Sequence, residues 1–97
     1  MPLYVKKVQT YEAIQLTITT WPAIRDYVRT RYGPDSIRLV YVLDGEIVEE
    51  VTEARAAEIT TDYGTILVPE NDYILKDING FIPLPKWVFE NNYELKV

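Results

Sequence analysis

The sequence predicts a small single domain of the α+β class. It would carry a mostly antiparallel, strongly curved sheet of about six to seven short strands. One main helix is expected near residues 20–32, and one or two short helices near 52–57 and 85–91. Three observations lead there. A helical apolar period runs between a threonine pair and a Gly-Pro stop. Asp44-Gly45 separates two β-rich runs. The C-terminal half then alternates short apolar runs with turn residues. A length of 97 residues leaves room for a single core.

The first element is the half-buried strand in "EAIQLT", where Ile14, Leu16 and Ile18 alternate with Ala13, Gln15 and Thr17. Val5, Val8 and Tyr11 add apolar positions ahead of it, with Lys6 and Lys7 on an exposed lead-in. In "TTWPAIRDYVRTRYGP", Thr19 or Thr20 can cap a helix, Pro22 suits its first turn, and Trp21, Ile24, Tyr27 and Val28 form one apolar stripe. Gly33-Pro34 ends it.

Ser36–Leu43 and Glu46–Val51 read as a hairpin joined by a type I′ turn at Asp44-Gly45. The first of these strands is apolar on both faces near its middle, which places it inside the sheet. Thr52 with Glu53 and three alanines favours one or two helical turns over 52–57, with a loop as the alternative. Strands follow at 59–61, 65–68, 73–76 and 81–84. Their turns fall at Asp62-Tyr63-Gly64, Pro69-Glu70-Asn71 and Ile78-Asn79-Gly80. Pro83 makes the last of these strands an edge or ends it there. Pro85 opens a short helix to Asn91, and Tyr93, Leu95 and Val97 alternate as a closing strand.

Composition removes several chemistries. The chain has no cysteine and no histidine. Disulfides, thiol catalysis, Ser-His and Cys-His pairs and zinc sites of the usual kind are excluded. The four glycines each fall at a turn, and no phosphate-binding glycine loop is present. No stretch resembles a signal peptide or a membrane span, so a cytoplasmic location is expected. The formal net charge is −5, divided as +3 over residues 1–40 and −8 over residues 41–97.

The first part offers Arg25, Arg29, Arg31 and Arg38, with Tyr32, as an anion or nucleotide site. The second offers an acidic face from Asp44 to Asp62, including Glu49, Glu50 and the neighbouring Tyr63, for a basic partner. Of the aromatics, Tyr41, Tyr73, Trp87 and Phe89 read as core, and Tyr4, Tyr32, Tyr63 and Tyr93 as exposed. The carboxylates Glu49, Glu50, Asp62, Asp72 and Asp77 match no metal or glycosidase template, although a small carboxylate- and metal-dependent hydrolase is an alternative built from them.

Two stretches together carry a resemblance. "YEAIQLT" opens the chain with an EAIQ strand. The C-terminal stretch matches through Thr61, Gly64, Asp72, Tyr73, Ile74, Leu75, Gly80, Phe81, Pro83, Phe89, Tyr93 and Glu94. The pattern resembles that of small phage and prophage accessory proteins of unassigned activity, which usually carry glycine where this chain has Asn71. The resemblance implies a non-enzymatic protein of the host cytoplasm that antagonises a host factor or defence. It would act by contact with a host protein or by sequestering a small nucleotide, with no cofactor. A virion structural or assembly role is the alternative. Direct duplex DNA binding is not expected of so acidic a chain, whereas homo-oligomerisation suits its small core.

Overall fold

A computed structural model describes residues 1–5, 9–78 and 80–95. The elements are β1 (Ala13–Gln15), α1 (Trp21–Tyr32), β2 (Ile37–Leu43), β3 (Glu46–Val48), β4 (Arg55–Thr61), β5 (Gly64–Pro69), β6 (Tyr73–Asp77), β7 (Gly80–Leu84) and α2 (Lys86–Asn92). The antiparallel strands divide into two sheets. One has the order β3-β2-β4-β5, the other β1-β6-β7. This is a small α+β domain.

The core lies where the two sheets and α1 meet. Ile37, Ala57, Ile59 and Val68 come from the four-stranded sheet, Ile24 and Val28 from α1, and Leu16 and Ile74 from the three-stranded side. The sequence pattern explains the arrangement. Ile37 pairs with Ile59 and Leu39 with Ala57, and those two β4 residues pair with Ile66 and Val68 of β5. One apolar face therefore runs across three strands. The stripe on α1 lies against it, with Ile24 and Val28 fully buried and Trp21 and Tyr27 half-buried.

Turn chemistry fixes the connections. Asp44 and Gly45 both have positive φ, 52° and 81°, as a type I′ turn requires. Asn71 also takes the left-handed conformation, at φ 79°, closing the turn between β5 and β6. Gly33 ends α1 and donates its backbone N–H to the Arg29 carbonyl. β7 is an edge strand, as Pro83 predicts.

Several segments differ from expectation. The helix expected over 52–57 is absent: Arg55–Ala57 instead begin β4. Alanine has good helix propensity, but Ala56 and Ala57 are pinned between β2 and β5 and are fully buried on opposite faces. Two flanking ladders outweigh a preference worth tenths of a kcal/mol per residue (roughly 0.5). Neither Thr19 nor Thr20 caps α1 with its side chain. The Thr20 hydroxyl accepts from the Thr17 N–H and donates to the Gln15 carbonyl, which ties the helix entry to β1.

β1 is shorter than its apolar pattern, and Val5 and Tyr11 are exposed outside it. Val8 lies outside the described residues, as do Asn79 of the third expected turn and Val97 of the expected closing strand. Tyr93–Leu95 form no strand. Trp87, expected in the core, is 69% exposed, whereas Tyr32, expected outside, is half-buried against Phe81.

Candidate functional site

The residues singled out in the sequence do not converge. Arg25 pairs with its neighbour Asp26 at 3.3 Å. Arg29 is exposed on α1. Arg31 reaches the other way and donates at 2.7 Å to the Ile78 carbonyl, clamping the turn between β6 and β7. Tyr32 packs edge-on against Phe81, with ring centres 6.0 Å apart.

Arg38 makes a 2.7 Å cross-strand bond to Glu58, and this bond with the carboxylate's charge raises the guanidinium pKa. Four of the five members of the expected anion site therefore have structural partners. The expected acidic face is also divided. Glu49 and Glu50 follow β3 near the start of β4, whereas Asp62 and Tyr63 form the turn at its far end. Seven residues of strand separate the two ends, a distance of about 20 Å.

The alternative carboxylates have local tasks as well. Asp72 accepts the backbone N–H of Lys86 at 3.0 Å, so α2 is capped by the residue just before β6 rather than by its own Pro85. Asp77 accepts the N–H of Ile78 within its turn. Among the described residues, no three histidine, cysteine, aspartate or glutamate side chains are grouped as a metal site would need.

A large concavity lies elsewhere. A groove of about 780 Å³ runs between the edge of β1 left unpaired among the described residues, with the residues leading into it, and α2 with the residues that follow it. Its aromatic wall is an ordered stack. Tyr73 of β6 lies parallel to Phe89 of α2, with ring centres 3.8 Å apart. Phe89 in turn stacks on Tyr93 at 5.1 Å. Tyr11 meets Tyr93 edge-on at 5.9 Å, from the strand side. Phe89 and Tyr93 are four residues apart, one helical turn, which places both rings in one column. The Asp72 cap holds the start of α2 to β6 and so keeps that column over Tyr73.

The polar lining is mainly acidic. Among the described residues, Glu12, Glu90 and Glu94 face the groove together with a single cation, Lys76. Lys76 is already engaged: its ammonium lies 3.6 Å from Glu12 and 4.9 Å from the centre of the Tyr27 ring. The groove thus combines exposed aromatic surface with the carboxylates of Glu90 and Glu94, which pair with no cation among the described residues. Tyr11 and Tyr93 remain 45% and 37% exposed, enough ring to receive a ligand.

Sequence reasoning marked Tyr93 as exposed and Tyr73 and Phe89 as core without joining them. The recoverable signal was the aromatic pair at i and i+4 in "FENNY". Its contact with a tyrosine sixteen residues earlier depends on how α2 folds back over β6, and no local pattern encodes that. No helix among the described residues is long and apolar enough to cross a membrane. Comparison with protein-family models, curated proteins and solved structures gives no match to this chain.

Proposed function

We propose that the chain is a non-enzymatic binding protein that acts by occupying a protein partner, in the manner of a phage-encoded antagonist of a host factor. The observation that carries this reading is the groove between β1 and α2, with its ordered aromatic wall. Tyrosine and phenylalanine offer large, rigid contact area at low entropic cost, which is why aromatics concentrate at protein interfaces. The groove offers carboxylates rather than a cluster of arginines, which favours a protein surface over a phosphate-bearing nucleotide. The resemblance to phage accessory proteins supports the choice of a host partner.

Site-specific photocrosslinking tests the reading. A benzophenone amino acid replaces Tyr93 in one variant and Tyr63, a fully exposed tyrosine in the distal β4–β5 turn, in another. Irradiation in host cells should give a discrete protein adduct from position 93 and none from position 63. Equal adducts from both positions, or none from 93, would overturn the assignment of the groove.

A further inference from the structure

We infer that the occupant of the groove is an extended, basic segment of the partner, which adds as a strand to the edge of β1 that is paired with no strand among the described residues. The inference rests on the reading of the groove as the binding site and gives it a backbone geometry and a ligand charge.

The geometry follows from the β1–β6 ladder. Glu12 accepts from the Lys76 N–H, Leu16 donates to the Asp72 carbonyl, and Leu16 accepts from the Asn71 N–H. In an antiparallel pair, alternate residues turn both backbone groups toward the partner strand. With Ala13 opposite Leu75 and Gln15 opposite Tyr73, the residues directed away from β6 are Ala13 and Gln15. The outward carbonyl of Gln15 is already taken by the Thr20 hydroxyl. The N–H and C=O of Ala13 face the groove side, and Ala13 is exposed. A peptide strand can therefore pair at Ala13, beside the segment that leads into β1, but is stopped at Gln15. Such pairing supplies affinity through the main chain and leaves specificity to the side chains on alternate positions.

Charge selects those side chains. A residue of the added strand that points toward α2 meets the rings of Tyr11 and Tyr93 and the carboxylates of Glu90 and Glu94. A guanidinium or ammonium there would lie over an aromatic face beside two acids that have no cation partner among the described residues, the arrangement that favours cations. Glutamate or phosphate would meet like charge.

The test uses the whole chain and synthetic probes. A ten-residue alternating Val-Arg peptide is titrated in NMR and calorimetry, beside its Val-Glu counterpart and a version with N-methylated alternate amides. The Val-Arg peptide should bind below about 1 mM, shift the Ala13 amide and slow its exchange. The Val-Glu peptide should not bind, and N-methylation should weaken binding.

The double variant Glu90→Lys/Glu94→Lys changes two exposed positions, so it should fold and lose about tenfold or more in affinity. Ala13→Pro removes the outward-facing donor without removing a β1–β6 ladder bond and should also weaken binding. Equal binding of the acidic peptide, or unchanged affinity in the charge-reversed variant, would overturn the inference. If position 93 still crosslinks to a partner in that event, the groove assignment stands and only the ligand class falls.

Discussion

The Tyr27 hydroxyl donates a 2.8 Å hydrogen bond to the Gly80 carbonyl, joining the middle of α1 to the first residue of β7. Arg31, one turn on, holds the Ile78 carbonyl of the same hairpin. The helix therefore grips the β6–β7 connection by two side chains, and Phe81 fills the space below against Tyr32.

Removing the first grip has a defined pH signature. Burial raises the Tyr27 phenol above its ordinary value, against the lowering effect of Arg31, with Tyr32, Asp77 and Glu12 adding to the rise. The folded state then binds this proton more tightly than the unfolded chain, whose tyrosine titrates near pH ~10. The stabilisation is complete below that value and is lost as pH rises through the higher folded-state value. Tyr27→Phe is expected to cost about 1 kcal/mol near neutrality. The gap between the two proteins should narrow above about pH 10, as measured by urea denaturation across that range.

Gly80 is constrained twice. Its φ is +141°, and a Cβ built there would stand 2.5 Å from the Tyr32 hydroxyl. Gly80→Ala is expected to destabilise by about 2 kcal/mol or more through backbone strain and overpacking together. In a Tyr32→Phe background the clash disappears and the strain does not. The penalty should then fall without vanishing, a difference that thermal melts of the four proteins would resolve.

Legibility in the sequence followed locality. The α1 stripe, the Asp44-Gly45 turn, the left-handed Asn71 and the edge position forced by Pro83 are each set by a few adjacent residues, and each could be read in advance. The division into two sheets could not, because it depends on which strands neighbour one another. The segment 52–57 misled for the same reason: its alanines favour a helix in isolation and form a strand between two partners. The candidate site was the least legible part. Arginines on α1 and β2 suggested a cluster, yet Arg31 and Arg38 are spent on Ile78 and Glu58. The groove is assembled from residues 9–14, 73–76 and 89–95, three stretches that only the fold brings together.

The strand assignment of 55–61 has its own test in Ala57. This residue has no exposed surface and sits between Leu39 and Val68 on the face that packs against α1. Ala57→Leu would be tolerated on an exposed helix but is expected to cost about 1–3 kcal/mol here by overpacking. Ile59→Ala, two residues along the same face, should cost about 2–5 kcal/mol by leaving a cavity. Exposed Ala54, just before the strand, should accept leucine within about 0.5 kcal/mol. Chemical denaturation of the three variants separates a buried strand from a surface helix.

Arg55 and Glu70 form the best-shaped ion pair among the described residues. The guanidinium bonds both carboxylate oxygens, at 3.3 and 2.8 Å, and both side chains are about two-thirds shielded. The pair lines a small crevice with Leu16, Ile18, Trp21 and Leu39, at the point where the segment entering α1 crosses the four-stranded sheet. Two-point contact fixes the fork of the guanidinium and reduces the freedom lost per bond. Partial exposure limits the gain, so a double-mutant cycle with Arg55→Ala and Glu70→Ala should give a coupling near 1 kcal/mol that declines as salt is raised. Arg55→Lys should recover less than half of it, because an ammonium cannot hold both oxygens in the plane of the carboxylate. Full recovery by lysine would mean that charge alone, without the fork, stabilises this junction.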